Sequence, residues 1–265
     1  MTSRGPQGPQ GPQGPHTGRE LARLPLSDLT KPQCGAWHGR VKWMASRLDT
    51  LGGEQVLRAF HRKGSGTSAH PHRDAAGVAF ECHAPCVDGA TAVVVAFDVY
   101  FDPGWHWSRG GKLGGIFIGD GAASGGAHSS DGASHRMMWQ ADGGAISYLY
   151  LPAGVPQPNP LVKSTGFGLG LHHDTFKNAL KKGQWNHVEI GVKLNGFDAA
   201  GRPAGDGAAS LTINGVTGFV DRINWTPRPS MKISGFEYNA FFGGPDPAVV
   251  DSVHYLKNFT VHEWK

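Results

Sequence analysis

Cysteine is scarce. Cys34, Cys82 and Cys86, three in 265 residues, cannot all pair, which excludes a disulfide framework while permitting one bridge. Charged residues make up only 17 % of the chain, against about 25 % in ordinary globular domains. With 40 glycines and 18 prolines, that composition disfavours helical bundles and coiled coils. No run approaches the roughly 18 uninterrupted apolar residues of a membrane helix, and Met1 to Pro15 lacks the apolar segment of a secretory signal. No membrane partner and no visible export signal are therefore expected. The excess of 25 Lys+Arg over 21 Asp+Glu, net +4, suits an acidic partner, but a basic stripe interleaved with aromatics is missing, so nucleic acid is not expected.

What the chain does have is aromatic and β-branched residues, eight tryptophans among them, which argue for a buried core rather than wholesale disorder. Gly5 to His16 reads GPQ-GPQ-GPQ-GPH, the collagen triplet pattern. Four triplets favour an extended, solvated tail over residues 1–18, with weak trimerisation as the lesser reading. The domain is expected over 19–265.

Nine segments read as strands separated by Gly, Pro, Asn and Asp: Val56 to His61, Ala92 to Phe101, Gly115 to Ile118, Met137 to Gln140, Ala145 to Leu151, His187 to Leu194, Ala209 to Ile213, Met231 to Phe242 and Val253 to Trp264. In His187 to Leu194 the alternation directs Val188, Ile190, Val192 and Leu194 to the core and Glu189 and Lys193 to water. Arg40 to Leu51 and Asp174 to Lys181 are the passable helices. The fold class is all-β, a jelly roll of two packed antiparallel sheets, one of which can offer a concave groove to an extended polymer.

Asp142-Gly143-Gly144 is a turn signal, so Ala133 to Ala141 and Ala145 to Leu151 form a hairpin. Alternation puts Ser134 and Arg136 on one face, and Tyr148 and Tyr150 on one face. A three-residue turn centred on Gly143 sets Arg136 opposite Tyr150 and unites all four, with Met137 and Trp139 inward; a two-residue turn separates them. With Lys112, that face holds two cations, two phenols and a hydroxyl but no acidic pair, which disfavours glycoside hydrolysis. Cations and tyrosines suit β-elimination on a uronic acid. Lys112 and Arg136 neutralise the carboxylate, a tyrosine with its pKa pulled down by nearby positive charge serves as base, and a phenol protonates the leaving oxygen. Activity is then expected to rise toward alkaline pH. No metal or cofactor is required.

The segments Gly110-Gly111-Lys112-Leu113-Gly114-Gly115, Ser134-x-Arg136-Met137-Met138-Trp139, Tyr148-x-Tyr150, Gly183-Gln184-Trp185, Val192-Lys193-Leu194-Asn195 and Phe241-Phe242-Gly243-Gly244 occur in this order. In these the chain resembles polysaccharide lyase family 14, which includes alginate lyases and chlorovirus glucuronate lyases, from about Val56 to Val261. The resemblance implies a β-jelly roll whose groove holds an acidic polysaccharide. It places the family's lysine at Lys112, its serine and arginine at Ser134 and Arg136, and its tyrosines at Tyr148 and Tyr150. Gln140 stands where a basic residue often follows the Trp, at a substrate subsite. The implied function is a polysaccharide lyase acting outside the cell or on a virion to degrade a wall or coat; the alternative is a non-catalytic carbohydrate-binding jelly roll.

Other candidates are secondary. Ser134 is assigned to substrate positioning, because a strand serine can equally serve a neighbouring backbone group. Trp105 and Trp107, at alternate positions before Lys112, can both stack on sugar rings or both be core. One of His172 and His173 can line the groove, and His172 is taken as the substrate contact. Cys82-His83-Ala84-Pro85-Cys86 with His70 and His72 offers zinc-type ligands at an unfamiliar spacing, so a local disulfide or free thiols are preferred and no metal site is assigned.

Overall fold

The computed structural model describes residues 17–27, 39–44, 46–67, 70, 77–163 and 166–265, without the side chains of 39–44, 46, 47 and 86. Residues 1–16 of the collagen-like tail, Cys34 and His72 lie outside the described residues. Strands are numbered along the chain. The first sheet runs β15 (Val216–Ile223), β14 (Gly207–Ile213), β13 (Trp185–Lys193), β6 (Ala92–Phe101), β17 (Ser252–Trp264), β4 (Glu54–His61) and β3 (Ser46–Leu51), with β1 (Thr17–Arg23) also paired to β17. The second runs β12 (Leu169–Leu171), β11 (Ala145–Tyr150), β10 (Gly132–Gln140), β7 (Gly110–Gly119), β16 (Ile233–Phe242), β5 (Val78–Cys82) and β2 (Gly39–Met44). A short pair, β8 (Ala123–Ser124) and β9 (Ala127–His128), stands apart. Pairing within both sheets is antiparallel, the expected jelly-roll class.

All nine expected strands are present, most of them longer than read. Val188, Ile190, Val192 and Leu194 are buried and Lys193 is exposed, as their alternation requires. They meet Val93, Val95, Phe97, Val99, Leu256 and Val261 on the inner face of the first sheet. Opposite lie Leu113, Ile116, Met137, Trp139, Leu149, Phe236 and Tyr238 of the second. At roughly 25 cal/mol per Å² of apolar area removed from water, this two-sheet interior is the main source of stability.

Both expected helices are corrected. Arg40 to Leu51 forms β2 and β3, which join different sheets, β2 beside β5 and β3 beside β4. Asp174 to Lys181 is a run of turns in which Phe176 and Leu180 are buried; their four-residue spacing imitates a helical stripe. Strand β1 begins at Thr17, pairing with Trp264, two residues ahead of the expected domain start.

Between the sheets His61 and His254 share a hydrogen bond, Nε2 to Nδ1 at 2.9 Å, inside a cage of Phe101, Trp105 and Phe242. One ring donates and the other accepts, and burial disfavours a charge on either. Burial draws His61 down to about 3 and His254 well below its ordinary value. Folded values below the unfolded 6.5 give stability that is complete above pH 6.5 and lost as pH falls. The slope is about 1.4 kcal/mol per pH unit for each histidine. His187, raised to about 9 beside Asp98 and Glu189, acts only above 6.5. Denaturant midpoints should therefore fall from pH 6.5 to pH 5, before most carboxylates titrate; a constant midpoint would show that the pair accepts a proton without cost.

Candidate active site

The site is built on the outer face of the second sheet, starting from the β10–β11 hairpin. Its pairs are Ser134 with Tyr150, Arg136 with Tyr148 and Trp139 with Ala145. The expected pairing of Arg136 with Tyr150 is displaced by two residues. The turn is centred on Asp142, at φ 56° and ψ 25°, and closed by the Gln140 N–H donating to Gly144 O at 2.7 Å. A shift of two preserves side-chain parity, so Ser134, Arg136, Tyr148 and Tyr150 share a face, and Met137 and Trp139 turn inward.

Lys112 reaches that face through a β-bulge. Ile116 and Ile118 are core residues, and a strict period of two would bury Lys112 with them. Between Arg136 and Met138 the β10 register advances by two while β7 passes from Gly115 to Lys112. Leu113 and Gly114 both face inward, the latter against Phe97, and Lys112 emerges opposite Met138 and Phe241. Bulges re-aim side chains in this way.

Arg136 and Glu237 both pair with Gly115, one from each side. A Cβ at Gly115 would lie 2.7 Å from Arg136 Cγ and 2.5 Å from His135 O, so only glycine leaves room there for the arginine stem. Over it Arg136 Nε meets Glu237 Oε1 at 2.7 Å, the two side chains 2 % and 0 % exposed. Asn239 Nδ2 donates to Glu237 Oε2. Arg136 Nη2 is buried without a hydrogen-bond partner, leaving one edge of the guanidinium unused by the protein. Glu81 of β5 pairs with Glu237 of β16 and lines the same groove. The expectation of a face without an acidic pair is thus corrected. The two carboxylates come from strands far apart in the chain, so no local motif announces them.

The Lys112 ammonium lies 5.2 Å from the Tyr148 ring and 5.5 Å from the Tyr150 ring, and the two rings are 5.6 Å apart in an edge-to-face arrangement. Tyr150 Oη accepts the Gly126 N–H at 3.0 Å. Burial, then the nearby Arg136, pull Lys112 down to about 7, with Glu237 opposing. Burial, then its neighbour Tyr150, push Tyr148 up to about 12, and the opposing pull of Arg136 is smaller. The expected lowering of a tyrosine is therefore overturned for Tyr148. Desolvation outweighs a guanidinium that is itself balanced by Glu237.

These groups line a groove of about 720 Å³ whose walls include Met138, Asn239, Phe241 and Phe167. Glu237, Asn239 and Phe241 were legible only as polar and aromatic residues at alternate positions of an otherwise buried strand; Glu81 and Phe167 carried no signal. Five secondary candidates sit elsewhere or have other partners. Ser134 is fully buried and its hydroxyl donates to Ala123 O at 2.9 Å. Trp105 is buried in the inter-sheet aromatic cluster, and Trp107 packs on Phe101 while its carbonyl accepts from Trp139 Nε1. His172 bonds to Ser147 Oγ and Phe219 O, away from the groove. Gln140 sits past Met138 and lines a separate recess of about 210 Å³ with His173 and Lys177.

Cys82 is disulfide-bonded; Cys34 and the Cys86 side chain lie outside the described residues. His83 contacts Ser234 O and Asp88, and His70 contacts Pro245 O. Among the described residues no group of three metal-type side chains converges.

Comparison with known proteins agrees with this geometry. An alginate lyase from a Chlorella virus, vAL-1, superposes with a TM-score of 0.87 at 41 % identity, covering 92 % of this chain and 100 % of that one. The marine PL-14 alginate lyase from Aplysia kurodai gives 0.74 at 23 % identity over 94 % and 99 %, a likeness of fold. Exolysin of Paramecium bursaria Chlorella virus 1 is 28 % identical over 195 residues, 64 % of this chain; the match spans 29 % of Exolysin's length. The sequence pattern of the family described as Polysaccharide lyase 14 matches residues 49–259, and the chain belongs to that family.

Proposed function

We propose that the chain is a lyase that cleaves an acidic polysaccharide, alginate-like or containing glucuronate, by β-elimination. The observation that carries this reading is one groove holding a buried guanidinium with a spare edge, an amine that titrates near neutrality and a phenol that stays protonated. The 41 % identical relative is named an alginate lyase, which supports the substrate class.

In this reading Arg136 Nη2 binds the uronate carboxylate and withdraws its charge, so the C5 proton becomes acidic. Lys112, as the neutral amine, takes that proton. The freed electron pair forms the C4–C5 double bond, the C4–O bond breaks, and the leaving oxygen takes a proton from Tyr148 or Tyr150. The Lys112 ammonium then returns its proton to the phenolate, which restores both groups. Lysine thus takes the role of base that the sequence suggested for a tyrosine. Action outside a cell or on a virion, on a wall or coat polymer, is part of the proposal; the disulfide at Cys82 and the viral relatives support it.

Incubation with alginate and with polyglucuronate should produce ultraviolet absorbance of a conjugated uronate. Binding without new absorbance would instead identify a non-catalytic carbohydrate-binding protein. The rate should climb with pH through about 7 as Lys112 loses its proton and then level off. Lys112→Ala should lower kcat at least 100-fold, within the range a general base supplies. A limb rising only above pH 9, retained by Lys112→Ala, would return the role of base to a tyrosine.

A further inference from the structure

From the cross-strand row on the groove floor, we infer that Glu237 is a positioning residue: it fixes Arg136 so that its spare edge faces the substrate carboxylate, and it sets the charge environment of Lys112. The inference rests on the lyase reading and adds to it a group that never touches substrate.

Geometry carries it. Tyr148, Arg136, Gly115, Glu237 and Glu81 form one transverse row across β11, β10, β7, β16 and β5. The ion pair crosses β7 above Gly115, the position of this row that has no side chain. Arg136 is a long side chain with several rotamers, and its guanidinium is held from the Nε side by Glu237. That hold leaves Nη2 buried without a hydrogen-bond partner, on a side chain that lines the groove. Glu237 is held in turn by Asn239 Nδ2, so the carboxylate cannot swing toward Lys112 and quench it by direct contact.

Charge follows the same geometry. Glu237 favours the ammonium form of Lys112, while burial and Arg136 oppose it. Other groups facing Lys112 are Tyr148 and Tyr150 from β11, with Phe241 from β16 and Glu81 from β5 on the same groove wall. His128 of β9 packs behind Tyr150. Glu237→Gln leaves most of this unchanged. It keeps the side chain's length and shape beside Arg136 Nε and removes the negative charge.

The test uses the full chain with alginate and polyglucuronate, and follows Lys112 by NMR of ε-¹³C-lysine, assigned with Lys112→Arg. In Glu237→Gln the Lys112 titration and the rising limb of kcat/KM should both move to lower pH, by half a unit or more. Glu237→Asp keeps the buried charge, which preserves folding, but withdraws the carboxylate by one methylene. Its limb should stay in place while KM for the polymer rises about tenfold. A Glu237→Gln titration that does not move, or a Glu237→Asp variant that loses only thermal stability at unchanged KM, overturns the inference. If Glu237→Gln does not fold, the KM of Glu237→Asp decides. Should the wild type yield no unsaturated product, the lyase reading fails, and the NMR titration together with the affinity for polymer still tests the role of Glu237.

Discussion

An arginine and a glutamate removed from water, joined across a glycine, constrain the outer face of the second sheet. Burying two charges is expensive, and their attraction offsets that cost only when geometry and further hydrogen bonds are good. Here β10 and β16 approach from either side of β7, Gly115 leaves the space between them empty, and Asn239 occupies the second carboxylate oxygen. Removing either partner leaves an uncompensated buried charge, at a cost of about 3–5 kcal/mol. A buried ion pair standing where an apolar pair would serve stability as well points to work done on the groove side.

Much of this was legible in the chain and some was not, for physical reasons. Strands buried on one face, such as β13 with its Val188, Ile190 and Val192, declare themselves by alternation. Edge or short strands such as β1, β8, β9 and β12 lack enough buried positions to show a period. Arg40 to Leu51 reads as a helix because Val41, Met44, Leu48 and Leu51 fall at steps of three and four; the chain in fact changes sheets within it. The shared face of Arg136 and Tyr148 survived an incorrect turn because an error of two residues in register is invisible to parity. Lys112 is the opposite case: parity alone would bury it, and only the bulge at Leu113 and Gly114 turns it outward. Trp105 shows the limit of composition, since a tryptophan suited to stacking on sugar is equally suited to a core.

Direction of titration was the least legible property. A sequence shows that tyrosines and cations are close but not how dry their surroundings are. Half-burial and mutual contact raise Tyr148, while the same dryness and Arg136 lower Lys112. The two groups move toward opposite roles, a phenol that keeps its proton and an amine that gives its proton up. Separation of pKa values by environment is how neighbouring groups acquire acid and base duties.

On the lyase reading this separation has a consequence for binding. With Arg136 balanced by Glu237, the trio of Arg136, Glu237 and Lys112 carries one net positive charge below about pH 7 and none above it. Affinity for a polyanion is favoured by the ammonium form, whereas proton abstraction needs the amine. Attraction of the polymer and readiness to react therefore run in opposite directions with pH. Each is accommodated because carboxylate recognition is assigned to a guanidinium, whose planar fork matches a carboxylate, and proton abstraction to the neighbouring lysine. Glu237 stands between these duties, holding the one group in place while biasing the charge of the other.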